Sequence, residues 1–126
     1  MSLTAQDFVA CAKATIQELA PAEANEFVVM DKAFVIDVRE PAELAQGFIP
    51  GSDNIPRGVL EFKLLNHEEL QDRSRPVLVY CQTGMRGALA TETLNLMGYD
   101  RVFNLAGGFE RWLHTQLPIE KDPDSW

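Results

Sequence analysis

Two nearly continuous apolar runs constrain this chain more than any other feature: residues 33–38 (AFVIDV), broken only by Asp37, and residues 77–80 (VLVY). A strand wetted on one side alternates apolar and polar residues. One covered on both faces reads as a continuous apolar run, the pattern of a parallel sheet with helices on each side. Both runs have strand length and are far too short to cross a bilayer. Asp37 and Cys81 stand at their ends. Open α/β sheets bind ligands beyond the carboxyl ends of their strands, so the pattern nominates one rim of the sheet as the site.

Helical signals alternate with these strands. Thr4 with Asp7 marks a helix start, and Phe8, Val9, Ala12 and Ile16 recur at helical spacing, which predicts a helix over 5–15. A short strand over 16–19 follows, and Pro21 opens a helix over 22–29. Pro41 starts a short helix reaching residue 46. Beyond it, residues 47–56 read as a structured loop anchored by Ile49 and Ile55. Weak helical pieces over 59–65 and 67–71 precede the second apolar run. Residues 82–87 then read as a glycine-containing turn, and 88–97 as a helix closed by Gly98. A strand over 101–105, a break at Gly107-Gly108 and a helix over 109–116 complete the order. The alternation predicts an α/β fold, a mainly parallel central sheet flanked by helices on both faces. At 126 residues and 46% hydrophobic content the chain supports one core. A single domain over 1–126 is expected, with an N-terminal helical extension at 1–15 and a polar tail at 119–126.

A formal net charge of -8, with no basic cluster, argues against nucleic acid and anionic membrane surfaces as partners. It also opposes small anionic substrates, so any anion site must be built from local donors. No charged-then-apolar leader precedes the first apolar run, and a cytoplasmic location is expected. Two cysteines in such different settings as Cys11 and Cys81 read as thiols rather than a disulfide.

Cys81 begins the most informative segment, Cys81-Gln82-Thr83-Gly84-Met85-Arg86-Gly87, which runs from a strand through a tight turn into a helix N-terminus. Its two glycines let the backbone curl so that successive N–H groups point inward, and the following helix adds its positive end. An anion belongs at the centre of such a ring. A thiol is only a few per cent thiolate at neutral pH, and making it mostly anionic takes roughly 2.7 kcal/mol of preferential stabilisation. A helix terminus supplies about 0.3 to 2 kcal/mol, so the N–H groups and the Arg86 guanidinium are needed as well. The competing reading makes Cys81 a small buried apolar residue at a strand end, as free cysteines commonly are.

Three segments together resemble the rhodanese family. Asp37-Val38-Arg39-Glu40 with Gly47-Phe48-Ile49-Pro50-Gly51-Ser52 and Asn54-Ile55-Pro56 is similar to its first signature. Cys81 to Arg86 is similar to its active-site loop, and Asn104-Leu105-Ala106-Gly107-Gly108 with Trp112 to its closing signature. The resemblance implies a sulfurtransferase in which Cys81 is the nucleophile, the backbone of Gln82, Thr83, Gly84, Met85, Arg86 and Gly87 holds the substrate, and Arg86 closes the ring. It also favours a structural role for Asp37 and Arg39. Phe48 departs from the family's usual histidine and Ser52 from its common alanine. The loop carries one Arg and no Lys, unlike more basic thiosulfate-using members.

The implied chemistry moves a sulfane sulfur from a small anionic donor such as thiosulfate, through a Cys81 persulfide, to a thiol or dithiol acceptor that is small or a protein. It needs no cofactor and no metal. His67 and His114 read as solvated, Cys11 as a packed helix residue, and Phe109 and Trp112 as packing anchors. Two rival functions remain: a binding or regulatory module without turnover, and a cysteine-dependent phosphatase. The phosphatase pattern has five residues between cysteine and arginine, against four here.

Overall fold

The apolar run at 77–80 becomes the central strand because both of its faces find cover. In the computed structural model, which describes residues 2–121, strand β4 (Val77–Tyr80) is buried at every position. It lies between β2 (Phe34–Asp37) and β5 (Val102–Leu105), and β1 (Gln17–Leu19) and β3 (Asp53–Asn54) close the edges. The order is β1-β5-β4-β2-β3, with every pairing parallel. Side chains alternate across the sheet with period two. Val77 and Val79 join Ile36, Val38 and Leu94 in one core, while Leu78 and Tyr80 join Val35, Phe109 and Trp112 in the other. Helix α2 (Pro21–Met30) and α5 (Gly108–His114) bury residues in the second core, and α3 (Leu60–Lys63) and α4 (Met85–Leu96) in the first.

Local sequence explains the starts of two helices. Thr4 accepts from the Asp7 N–H at 3.2 Å, and the Asp7 carboxylate accepts from the Thr4 N–H at 2.8 Å, a reciprocal cap for α1 (Ala5–Lys13). Pro21 occupies the first turn of α2, where its missing N–H costs nothing.

Four expectations need correction. The stretch at 47–56 is not wholly loop: Asp53 and Asn54 pair with Ile36 and Asp37 as β3, because the open edge of β2 supplies donors and acceptors. Helix α4 begins at Met85, not 88, since the chain turns within residues 82–84, where Gly84 takes φ 105°, and places Met85, Arg86 and Gly87 in the first helical turn. The expected polar tail at 119–126 is tied to the domain at its described start. Phe48 and Glu120 exchange backbone hydrogen bonds at 2.8 and 2.9 Å, and the Trp112 indole donates to the Pro118 carbonyl at 2.9 Å. The rest of the expected tail, from residue 122, lies outside the described residues. Cys11, expected to pack, is exposed: α1 buries only Ala12, and the adjacent position points outward.

Candidate functional site

Cys81 follows the last residue of β4 and is 1% exposed, yet its sulfur does not sit among apolar atoms alone. The Sγ accepts from the Gly84 N–H and the Gly87 N–H, each at 3.1 Å. Both donors come from the turn and first turn of α4, where helix geometry leaves N–H groups without intrahelical partners. Of the first four in α4, Gly87 donates to the sulfur and Ala88 to the Gly84 carbonyl at 3.0 Å. Those of Met85 and Arg86 have no partner among the described residues.

The N–H groups face inward because the loop's carbonyls are tied back elsewhere. Phe109 donates its backbone N–H to the Cys81 carbonyl at 2.8 Å, and Glu110 donates to the Gln82 carbonyl at 3.1 Å. The buried Asn104 side chain donates to the Gly84 carbonyl at 3.1 Å, and the Thr91 hydroxyl to the Gly87 carbonyl at 2.8 Å. Two glycines make these approaches possible. A Cβ on Gly87 would strike the Asn104 carboxamide, and one on Gly108, at φ 64°, would lie 2.6 Å from the carbonyl oxygens of both Cys81 and Gln82. Gly107-Gly108, read from sequence as a break after a strand, is the contact surface for the Cys81 loop.

Arg86 does not close the ring on the sulfur. Its guanidinium donates through both terminal nitrogens to Glu43, at 2.7 and 2.8 Å. That hydrogen-bonded pairing lowers the Glu43 carboxyl to about 2 and holds Arg86 still more firmly protonated. Sequence reasoning missed Glu43. Its signal was its place three residues after Glu40 at the start of the 3₁₀ helix Pro41–Gln46, where its carboxylate also accepts from the Glu40 N–H at 2.8 Å. Thr83 and Met85 are exposed, Met85 by 51%.

Asp37 and Arg39 form a fully buried ion pair beneath the loop, with Arg39 Nη2 2.7 Å from Asp37 Oδ2. Burial by itself disfavours the charged guanidinium, and Asp37 more than offsets it, so Arg39 is held charged. The other Arg39 donors reach the Gly47 carbonyl at 2.9 Å and the Gln82 side-chain carbonyl at 3.1 Å, and its Cζ lies 4.5 Å from the Phe109 ring centroid. One guanidinium therefore joins the ends of β2 and β4, the segment before Phe48, and α5. Asn54 extends the arrangement by donating to the carbonyls of Asp37 and Arg39, both at 2.9 Å.

The model of the rhodanese-like domain matches residues 20–115. The chain belongs to the rhodanese-like domain family. A sulfurtransferase of Allochromatium vinosum is 36% identical over 89 residues, 71% of this chain and 79% of that protein. The polysulfide-sulfur transferase homodimer of Wolinella succinogenes is similar in structure, with a TM-score of 0.78 and 34% identity over 91% of this chain and 85% of that one. A Rhodopseudomonas palustris protein of unknown function, described as a possible tyrosine phosphatase, has a TM-score of 0.88 and 30% identity over 95% of this chain and 96% of its own.

Within the family's first signature, Phe48 replaces the usual histidine at a position whose backbone makes the exchange with Glu120, a pairing indifferent to side-chain type. The Ser52 hydroxyl lies 3.2 Å from the Tyr80 hydroxyl, and Tyr80 in turn accepts from the Ile49 N–H at 3.1 Å. His67, expected to be solvated, instead places Nε2 2.9 Å from Asp53 and its ring edge-on to Phe34. These residues line a polar cavity of about 710 Å³ by Ala33 and Phe34 at the start of β2. Of the residues nominated from sequence for the site, none lies there. His114 is exposed. Among the described residues, no group of three or more His, Cys, Asp and Glu is placed to hold a metal ion, and no helix is long and apolar enough to cross a membrane.

Proposed function

We propose that this chain is a sulfurtransferase whose Cys81 thiolate takes a sulfane sulfur from a donor such as thiosulfate and passes it to a thiophilic acceptor. The observation that carries the reading is the pair of backbone N–H groups, from Gly84 and Gly87, converging on Sγ at 3.1 Å. Donors fixed in a turn need no reorganisation when charge collects on the sulfur. In the first step Cys81 Sγ⁻ attacks the outer sulfur of thiosulfate. The new S–S bond forms as the old one breaks, sulfite leaves with the electron pair, and the negative charge passes to the outer sulfur of the persulfide. The Met85 and Arg86 N–H groups of the first helical turn serve an anion longer than the thiolate. In the second step the acceptor attacks that outer sulfur and Cys81 leaves as thiolate. Cyanide serves as acceptor in vitro. A small thiol or a dithiol protein fits the same role in the cytoplasm, where we place the reaction. Neither step requires a cofactor, and the exchange predicts ping-pong kinetics.

The names of the relatives support sulfur transfer, while one similar structure is described as a possible phosphatase. The Cys81 loop favours sulfur on two grounds. Four residues separate Cys81 from Arg86, which makes a small ring. The carboxyl beside it, Glu43, is lowered to about 2 and therefore has no proton to give a leaving oxygen at neutral pH. A module that only binds would not require a thiol between two convergent donors.

Intact-mass measurement tests the reading. The protein should gain the mass of one sulfur with thiosulfate and lose it with cyanide, and Cys11→Ser should do the same. Cys81→Ser should do neither while remaining folded. Efficient aryl-phosphate hydrolysis without sulfur uptake would replace this reading with the phosphatase.

A further inference from the structure

We propose that Glu18 and Asn104 are positioning residues for sulfur transfer, which together aim the Met85 N–H at the outer sulfur of the Cys81 persulfide; the proposal rests on the sulfurtransferase reading above. The two residues face each other in the β1–β5 register. Val102 belongs to the core under α4 and Leu105 to the core under α5, so period two puts Asn104 on the α4 side of the sheet. There its carboxamide nitrogen donates twice, to the Glu18 carboxylate at 2.8 Å and to the Gly84 carbonyl at 3.1 Å. Two acceptors on one side settle which way the amide faces. Its oxygen is buried against Gly87 with no partner among the described residues. An apolar residue at this position of β5 would avoid the cost of that unpaired carbonyl, so what Asn104 contributes is the grip of its nitrogen.

Gly84 is where a restraint of this kind acts. It caps α4 at φ 105° with no side chain to hold it, and a glycine passes readily between backbone conformations. The Gly84 carbonyl and the Met85 N–H belong to one planar trans peptide and point in opposite directions. Holding the carbonyl toward Asn104 therefore turns the Met85 N–H away from it, into the loop. That N–H has no protein partner among the described residues, whereas the two donors on Sγ, from Gly84 and Gly87, lie on other peptides. When sulfite leaves and the charge passes to the outer sulfur, the Met85 N–H is the free donor that Asn104 controls. The Glu18–Asn104 pair thus favours the persulfide anion more than the thiolate.

Two measurements separate those forms. Intact mass gives the ratio of persulfide to thiol at fixed thiosulfate and sulfite, and the pH dependence of alkylation by iodoacetamide gives the Cys81 midpoint. Asn104→Ala should lower the loading ratio about tenfold, the scale of one hydrogen bond to a charged group, with a smaller change in the midpoint. Glu18 is partly exposed on an edge strand, where folding is not at stake. Glu18→Ala should lower the ratio about threefold, and Glu18→Gln, which keeps an acceptor oxygen, should load as the wild type does. The Glu18 variants decide the matter even where Asn104→Ala fails to fold. Wild-type loading by Glu18→Ala, an equal loss in Glu18→Gln, or a midpoint that moves on a logarithmic scale as far as the loading ratio would overturn the proposal while Cys81 still takes up sulfur. A wild type that takes up no sulfur removes the sulfurtransferase reading first, and this proposal with it.

Discussion

The backbone N–H of Phe109 donates to the carbonyl of Cys81 at 2.8 Å, so the first turn of α5 and the loop that holds the thiol form one hydrogen-bonded unit. Gly108 makes that approach possible. In Gly108→Ala a Cβ would lie 2.6 Å from two loop carbonyl oxygens, at a φ of 64° that L side chains rarely adopt. The expected cost is about 1 to 3 kcal/mol of stability from the strained backbone, with a larger proportional loss of sulfur transfer as the Gly84 and Gly87 N–H groups lose their aim. Denaturant melts beside kcat/KM check this. A variant with wild-type values of both would show that α5 does not shape the loop.

Both side chains of the Asp37–Arg39 pair are fully buried, so removing one partner leaves an uncompensated buried charge. Arg39→Ala should cost about 3 to 5 kcal/mol, and Asp37→Ala with Arg39→Ala together less than the sum of the singles. Arg39→Lys should recover only part, because an ammonium keeps the charge without the planar fork that spans Asp37, Gly47 and Gln82. Urea midpoints across this set give the answer. Full recovery by lysine would show that charge alone is sufficient there.

Acid stability carries a signature of Glu43. Its carboxyl is lowered from 4.5 to about 2 by Arg86, so between these values the unfolded chain binds more protons than the folded one. Stability from the pair is thus fully present above about pH 4.5 and is lost as pH falls through about 2. Arg86 is 38% exposed, so screening holds the contribution to about 1 kcal/mol or less. The stability gap between wild type and Glu43→Gln, from melts at pH 6 and pH 3, should narrow at the lower pH. A gap that widens there would reverse the sign of the argument.

The apolar runs at 33–38 and 77–80 were sufficient by themselves to specify a buried parallel sheet, because only cover on both faces accounts for strands without polar alternation. The cysteine, the glycines and the helix that follow were likewise legible, since turn and helix-start chemistry is local. What the sequence left open depends on contacts between distant segments. Edge strand β3 has two residues and exists because β2 offers it an edge. Cys11 and Ala12 are adjacent in one helix, and only the way α1 lies on the molecule decides which is buried. Arg86 sits next to the thiol in sequence, but its guanidinium is directed by Glu43, 43 positions away. The inward aim of the Gly84 and Gly87 N–H groups depends on carbonyls held by Asn104, Phe109 and Glu110 from elements that local sequence does not join to the loop. A side chain's chemistry is written in its type, but the partner that restrains it is chosen by packing, which brings residues together irrespective of their separation along the chain.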